Sequence, residues 1–165
     1  MPPFERLTVR EAFRRFAGVP DACELALQDE DTYFQVLVDA VEPGLARAAR
    51  PVFLYEYPAS QAALARLKPE DPSVAERFEL YLAGVELCNG YGELSDAREQ
   101  RARLERDCAT RFARGKSEPA LPLRFLAALE QGMPPTAGNA LGMERLMMLL
   151  AGEPNIARMN AFPDG

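Results

Sequence analysis

Apolar residues recur at the spacing of an α-helix over the first third of the chain. Thr8 followed by Glu11 is the capping-box pattern that begins a helix, and Gly18 is a typical helix end. A second apolar stripe predicts a helix over 31–41, and the Glu-Pro-Gly run at 42–44 is expected to break or kink it. We therefore expect this third to be helical, as packing elements or as an inserted subdomain.

The period changes to two in the middle of the chain. It predicts a strand over 52–57 that Pro58 ends. Two further strands over 77–82 and 85–94 are expected to form a β-hairpin. Small residues over 137–141 predict one more extended segment.

Three more helices are predicted around these strands. Asp96, after Ser95, is expected to cap a long polar helix that ends near residue 115. Pro122 opens a shorter helix, and the apolar run at 143–150 forms the last one. Strands followed by segregated helices indicate an α+β fold, with an antiparallel sheet flanked by helices.

Two carboxylates fall on one face of the predicted hairpin. If the turn is centred on 82–83, Glu79 lies directly opposite Glu86; if it is centred on 83–84, the two lie diagonally on the same face. Like charges placed in this way repel, unless a cation fills the gap or one group takes a proton. Mg²⁺ with nucleotide phosphates would resolve the repulsion, whereas a solvated face is the simpler interpretation.

The second strand of the hairpin carries a third carboxylate. Strict alternation sends Glu86 and Glu93 to opposite faces, and a bulge at Asn89-Gly90 would bring them to one side. Alternatively, Asn89-Gly90 is itself a hairpin turn. Gly90 and Gly92 inside a strand also indicate the close approach of a ligand or of another backbone.

A glycine-rich run at 138–142 leads into the last helix. Gly142 would place the free N–H groups of that helix where they can meet a phosphate or a carboxylate. Arg145 lies in the first turn, where the helix dipole disfavours a cation. Its charge points equally to a partner such as Glu144 and to an anionic ligand. Neither a P-loop nor a dinucleotide fingerprint occurs in the sequence.

Composition narrows the chemistry further. The 165 residues, a length that suits one domain, carry 19 Lys and Arg against 25 Asp and Glu, which argues against a general nucleic-acid binder. Histidine does not occur, so His-based triads, His-ligated zinc and a His general base are excluded. Three cysteines without metal-like spacing and the lack of a signal-peptide pattern or membrane-spanning run lead us to expect a cytoplasmic protein with no membrane partner.

Several segments, in fixed order, resemble the class II aminoacyl-tRNA synthetases of the lysyl type. Residues 138–146, Gly-Asn-Ala-Leu-Gly-Met-Glu-Arg-Leu, resemble motif 3 of that class, which ends in an ATP-binding arginine. Residues 77–79 and 86–96 resemble the lysine-specific block that precedes motif 3, and 132–135 resemble the turn between them. The resemblance implies the class II catalytic fold.

One branch of that superfamily matches best. Residues 57–65 are similar to the elongation factor P–lysine ligases, stand-alone paralogues without an anticodon-binding domain. Ala140 supports this branch, because the lysyl-tRNA synthetases usually carry glycine there. Such enzymes activate (R)-β-lysine with ATP and transfer it to a lysine side chain of elongation factor P. The resemblance therefore implies a lysine-like amino acid and elongation factor P as partners, no tRNA, and a homodimer for full-length members.

The resemblance implies a site for ATP and Mg²⁺. Glu79 and Glu86 would hold Mg²⁺ and ATP, in line with their shared face. Leu87 and Gly142 would line the nucleotide by backbone contact, and Arg145 would be the catalytic residue that binds the ATP phosphates.

It also implies a site for the amino acid. Glu93 would pair with the substrate ammonium, Asn89 would contact its other polar end, and Ala140 would shape the pocket floor. Catalysis in this class is mainly positioning and charge stabilisation as a carboxylate attacks the α-phosphate, so the lack of histidine is no obstacle.

The chain departs from the class in one large respect, because motifs 1 and 2 are not found. The run at 13–16 lacks the glutamate of motif 2 and lies on a predicted helix. We therefore expect 1–50 to be an insertion-like helical segment and 51–165 the C-terminal part of a catalytic domain. Half of the ATP site would be missing, the isolated chain would show little ATP–pyrophosphate exchange, and a sheet edge or apolar patch would be exposed.

Two other functions stay open at this point. The chain is alternatively a fragment of a lysyl-tRNA synthetase, although its acidic balance and the missing anticodon-binding domain weigh against charging of tRNA. It is also interpretable as a catalytically inactive remnant that acts as a binding module, which the loss of motif 2 favours. Whether the isolated chain is an enzyme is therefore uncertain from the sequence.

Overall fold

The computed structural model describes residues 4–117 and 119–160 and shows an α+β fold, as predicted. Five strands form one sheet in the order β1-β2-β4-β5-β6, and the short β3 pairs with β4. All strand pairs are antiparallel except β1 with β2, which is parallel. The strands are β1 (Glu5–Thr8), β2 (Val52–Pro58), β3 (Leu67–Lys68), β4 (Asp71–Leu82), β5 (Val85–Gly92) and β6 (Ala137–Leu141).

Helices flank this sheet. They are α1 (Val9–Ala17), α2 (Ala22–Gln28), α3 (Glu30–Val36), α4 (Glu42–Ala46), α5 (Ala97–Ala113), α6 (Leu123–Glu130) and α7 (Met143–Ala151). A π-helical turn, Leu37–Val41, joins α3 to α4, and 3₁₀ turns lie at Ala59–Gln61 and Ile156–Met159. Among the described residues, no helix combines the length and apolar character needed to cross a membrane.

The capping box predicted for α1 is confirmed. The backbone N–H of Glu11 donates to Oγ1 of Thr8 at 3.1 Å, and the carboxylate of Glu11 accepts from the backbone N–H of Thr8 at 2.8 Å. Gly18 ends the helix in the left-handed conformation, with φ of 69°. Asp96 caps α5 as expected, by accepting from the backbone N–H groups of Arg98 and Glu99.

The first third of the chain differs from its prediction in two places. Residues Glu5–Thr8 form β1, which pairs with β2 and was not expected in a helical segment. The run at 42–44 does not end the second helix, which stays helical to Ala46. The irregularity lies one turn earlier, in the π-helical turn Leu37–Val41. In a regular α-helix the ring of Pro43 would clash with the backbone carbonyl four residues earlier, and the wider π-helical turn relieves this clash.

The main core lies between the N-terminal helices and one face of the sheet, here called the helix face. Phe13 of α1 and Tyr33 of α3 stack with ring centroids 4.8 Å apart, and both are buried. Val52, Leu54 and Tyr81 of the sheet complete this core. The core therefore draws residues from both sides of position 50.

The opposite face of the sheet and its β6 edge are more open. Phe53 of β2 contacts Phe4 and Phe78 by ring packing, at centroid distances of 5.9 and 5.7 Å. No described residue of α7 is buried, and the exposed fraction reaches 78% for Leu150. These surfaces agree with the expectation of an exposed sheet edge or apolar patch.

Candidate functional site

The β4–β5 hairpin places the predicted site residues on the helix face. Ala83 and Gly84 form its turn with φ of 51° and 80°, the positive values that two-residue hairpin turns require. Tyr81 pairs with Glu86, which is the register of a turn centred on 83–84, and Glu79 lies two residues from Tyr81 on the same face. The prediction that Glu79 and Glu86 share one face is therefore confirmed, in the diagonal arrangement.

A bulge does shift the phase of β5, but at a different position from the expected one. Leu80 pairs with Cys88 while Tyr81 pairs with Glu86, so Leu87 is the extra residue. Asn89 and Gly90 lie within the regular ladder, so the alternative of a second hairpin turn there is wrong. From Asn89 onward the odd-numbered residues of β5 face the same side as Glu79. Glu93, which follows the end of β5, continues this alternation.

Glycines in β5 make room for side chains of the protein itself. A Cβ at Gly90 would overlap the ring of Phe78, and a Cβ at Gly92 would overlap the carboxylate of Glu76. The close approach at these two glycines is therefore made by side chains of the protein itself. Both positions face away from the helix face.

One row of paired residues crosses three strands at the centre of the site. Glu79 of β4 pairs with Asn89 of β5, and Asn89 pairs with Ala140 of β6. Paired residues in antiparallel strands point to the same face, so the three side chains are neighbours. The two outer residues of this row, Glu79 and Ala140, are 61 positions apart in the sequence.

Glu79 is buried and saturated with hydrogen bonds. Its exposed fraction is 6%. Oε1 accepts from Nη2 of Arg77 at 2.7 Å and from Nδ2 of Asn89 at 3.0 Å. Oε2 accepts from the hydroxyls of Tyr57 at 2.5 Å and Tyr81 at 2.7 Å. A carboxylate offers about four lone-pair sites, so all of them are used.

Arg77 supplies the positive charge that balances Glu79. Its Nη1 also donates to the backbone oxygen of Gln61 at 2.7 Å, and its guanidinium lies 4.4 Å from the ring centroid of Tyr57. Burial opposes the charge of Arg77, but the pKa of Arg77 is nevertheless raised because Glu79, together with Tyr57 and Tyr91, outweighs that effect. The guanidinium of Arg77 therefore lies against the carboxylate of Glu79 inside the fold, at 2.7 Å.

Glu86 is more open than Glu79. Burial, followed by the charge of Glu79, raises the pKa of the Glu86 carboxyl, and Arg145 opposes this shift. Nη1 of Arg145 donates to the backbone oxygen of Glu86 at 2.9 Å and lies 3.6 Å from its Oε2. Arg145 is therefore partnered by Glu86 and not by Glu144, the partner considered from the sequence.

Leu87 and Gly142 meet through their backbones. The N–H of Gly142 donates to the oxygen of Leu87 at 2.9 Å, which anchors the start of α7 to the bulge in β5. This contact places Arg145, in the first turn of α7, beside Glu86. The glycine-rich run is thus confirmed as strand β6 followed by a helix.

Glu93 lies just beyond the end of β5, next to Gly138 of β6. A Cβ at Gly138 would overlap Oε1 of Glu93, so the glycine leaves the space that this carboxylate occupies. The backbone N–H of Glu93 donates to the oxygen of Thr136 at 2.9 Å, which fixes the residue beside β6. Glu86 and Glu93 therefore lie on opposite sides of the Glu79–Asn89–Ala140 row, before and after Asn89 along the chain.

Sequence reasoning missed several groups at this site. Tyr57 and Tyr81 were given no role at the site, although the spacing of two between Glu79 and Tyr81 indicates a shared face. Tyr33 and Glu42 come from the N-terminal helices, and no local pattern connects them to the hairpin. A cavity of about 240 Å³ joins these residues; its polar lining consists of Tyr33, Glu42, Tyr57, Gln61, Arg77, Glu79, Tyr81 and Glu86.

Of the two hairpin carboxylates, Glu86 is the one placed to bind a hydrated divalent cation. Glu86 has an open carboxylate in a negatively charged surrounding, whereas direct coordination by Glu79 would require one of its four hydrogen-bond donors to leave. Within the described ranges, no three or more His, Cys, Asp or Glu side chains are arranged to ligate a single ion. Mg²⁺ usually needs only one or two carboxylates, because phosphates and waters complete its shell.

Comparison with known proteins gives consistent relatives. A family model described as class II tRNA synthetases (D, K and N) matches residues 1–165. The elongation factor P–(R)-β-lysine ligase of Proteus mirabilis (strain HI4320) is 48% identical over 157 residues, which cover 93% of this chain and 48% of that protein. The protein of the same name from Vibrio cholerae serotype O1 is 42% identical over 178 residues, 96% of this chain and 55% of that one. The chain spans about half the length of these curated relatives.

Proposed function

The chain belongs to the class II tRNA synthetase family (D, K and N), and from this membership we propose that it takes part in the ATP-dependent activation of lysine or (R)-β-lysine and its transfer to a lysine side chain of elongation factor P. The names of its relatives support the substrate and the acceptor. Within this proposal, 1–50 is an insertion-like helical segment and 51–165 is the C-terminal part of the catalytic domain.

The observation that carries the proposal is the row Glu79–Asn89–Ala140, with Glu86 on one side of it and Glu93 on the other. A substrate with a carboxylate and two ammonium groups needs negative charge for the ammonium groups and positive charge for the reacting end. Glu93, beside the row, supplies the first requirement. Arg145 beside Glu86 supplies the second.

The ATP end of the proposed site is built from β5 and the start of α7. Arg145 is half-exposed, so its guanidinium is free to turn from Glu86 toward the phosphates of ATP, whose negative charge it would neutralise. Leu87 and Gly142 would line the nucleotide with backbone, since their mutual hydrogen bond fixes that edge. Glu86, with the charge of Glu79 behind it, would hold Mg²⁺, which lowers the repulsion between phosphates and carboxylates.

The amino-acid end is built from β5 and β6. Oδ1 of Asn89 is buried and has no hydrogen-bond partner among the described residues, because the amide is held by its Nδ2 contact to Glu79. That oxygen is available to accept from a substrate ammonium. Glu93 would pair with the other ammonium, and Ala140 would form the floor beside them.

The proposed reaction has two steps. A carboxylate oxygen of the amino acid attacks the α-phosphorus of ATP, and pyrophosphate leaves. The amine of the acceptor lysine then attacks the activated carbonyl carbon, AMP leaves, and the amine loses a proton to solvent. The described residues contribute binding, orientation and charge stabilisation, which together account for most catalysis of this type.

A chimera tests the proposed activation step. These 165 residues would replace the matching segment of the Proteus mirabilis relative, and ATP–pyrophosphate exchange would be measured with (R)-β-lysine and with lysine. We expect exchange by the chimera and a strong loss in its Glu93→Ala form, while the 165 residues alone give little or none. A folded chimera without ATP–pyrophosphate exchange would contradict the proposal. A Glu93→Ala chimera with the same exchange rate as the parent chimera would contradict the role of Glu93.

A further inference from the structure

Three carboxylates, not two, line the cavity beside the proposed ATP end. Glu42 of α4 lies there with Glu79 and Glu86. Arg77 neutralises Glu79, and Arg145 lies beside Glu86. The side chain of Glu42 makes no hydrogen bond or ion pair with any other described residue, so its carboxylate is the one left without a local cation.

Glu79 is poorly placed to bind a cation, because its two carboxylate oxygens already accept four hydrogen bonds. The open carboxylate oxygens of the cavity therefore belong to Glu86 and Glu42. This arrangement differs from the expectation that Glu79 and Glu86 form the pair that binds the cation.

Tyr33 gives an independent indication of a bound polar group. Its side chain is 1% exposed, and its hydroxyl has no hydrogen-bond partner among the described residues. Tyr33 lines the cavity together with Glu42 and Glu86. A buried hydroxyl without a partner is unfavourable unless a water or ligand completes it.

We propose that Glu42 is the third carboxylate of a divalent-cation site, in which Glu86 binds the cation directly while Glu42 and Tyr33 accept hydrogen bonds from its waters. Mg²⁺ keeps several waters in most protein sites, so contacts through water are expected. Such outer partners orient the bound shell and add to affinity. The inference rests on the proposed function for the presence of the cation and adds Glu42 and Tyr33 to the residues that hold it.

The test uses the complete 165-residue chain and Mn²⁺ as the probe. Free Mn²⁺ would be followed by electron paramagnetic resonance during titration, with and without ATP. We expect Glu42→Gln to weaken Mn²⁺ binding by about tenfold, as loss of an outer partner does at other metal sites. Asp39→Asn is the matched control, because Asp39 is an exposed carboxylate three residues earlier in the same helical stretch and is expected to change nothing.

Three further variants protect the result from a folding artefact. Glu42→Asp keeps the charge on a shorter side chain and is expected to restore part of the affinity. Tyr33→Phe is expected to weaken binding several-fold while Tyr55→Phe, on the other face of the sheet, leaves it unchanged. Thermal unfolding followed by circular dichroism would confirm that each variant is folded.

Each outcome decides the inference. The inference is supported if Glu42→Gln binds Mn²⁺ about tenfold more weakly than the unchanged chain while Asp39→Asn binds it as tightly. Equal binding by the unchanged chain and Glu42→Gln overturns the role of Glu42 but leaves the proposed function standing. No Mn²⁺ binding by the unchanged chain overturns the cation site as a whole, and the exchange assay of the chimera then decides separately whether the proposed function survives.

Discussion

The hydroxyl of Tyr57 donates a 2.5 Å hydrogen bond to Oε2 of Glu79, from the neighbouring strand of the sheet. The contact is buried and completes a shell of four donors around one carboxylate. Removing a donor from such a shell leaves a charged oxygen short of one partner, which makes this contact a sensitive probe of the site.

Tyr57→Phe is expected to lower the free energy of unfolding by about 2 kcal/mol, the range found for hydrogen bonds to charged groups. Urea unfolding would measure it. Tyr55→Phe is the control, because the hydroxyl of Tyr55 has no hydrogen-bond partner among the described residues and lies on the opposite face of β2. Equal stability of the two variants would show that Glu79 does not depend on Tyr57.

Stability is expected to fall as the pH rises above about 10, the ordinary pKa of tyrosine. Burial raises the pKa of Tyr33, and burial followed by the charge of Glu79 raises the pKa of Tyr57 and Tyr81. Above pH 10 the unfolded chain releases these protons while the folded chain keeps them, so unfolding is favoured.

Tyrosinate absorbance against pH, recorded with circular dichroism, would check this dependence. We expect part of the tyrosine signal to appear only when the fold is lost. Complete titration of all five tyrosines in a chain that keeps its circular dichroism would contradict the burial of these three hydroxyls.

Thr8→Ala is expected to destabilise the chain by about 1 kcal/mol, because it removes the acceptor that caps α1. Thr110→Ala serves as its control, since Thr110 is exposed in the interior of α5 and caps nothing. Chemical unfolding of both variants would measure the difference. A control that loses as much stability as Thr8→Ala would contradict the capping role.

Gly138→Ala is expected to move the carboxylate of Glu93 rather than to unfold the chain, because the added Cβ meets the flexible end of that side chain. In the chimera, KM for (R)-β-lysine should rise about tenfold with little change in stability. The same substitution in a Glu93→Ala background should have no further effect on KM. An additional loss in that background would show that Gly138 acts by another route.

Local patterns were sufficient for much of the fold. The capping box at Thr8, the strand over β2 and the hairpin followed from residues close in the chain, and the period of two placed Glu79 and Glu86 on one face. The parallel β1 was missed because four residues carry too little periodicity and their partner strand lies far along the chain. The bulge was predicted at 89–90 but lies at Leu87. Alternation of side chains fixes which face each end of β5 presents, but it does not identify the extra residue that shifts the alternation.

The site was predicted less completely than the fold. Glu79 was named from the geometry of the hairpin, and Asn89 and Ala140 were named from the resemblance to a known family. The alignment of the three in one row is a property of the strand register. Glu42 and Tyr33 reach the cavity only because α3 and α4 pack on the sheet, and such tertiary contacts leave no periodic trace in the sequence.

Modification of elongation factor P is the most direct test of the account. The chimera, ATP, (R)-β-lysine and elongation factor P would be incubated together, and the acceptor protein would be analysed by intact-mass and peptide mass spectrometry. The account predicts a (R)-β-lysyl group on a lysine side chain of elongation factor P, formed only with ATP and lost with Glu86→Gln. A folded chimera that leaves elongation factor P unmodified, while the unaltered Proteus mirabilis protein modifies it, would contradict the account.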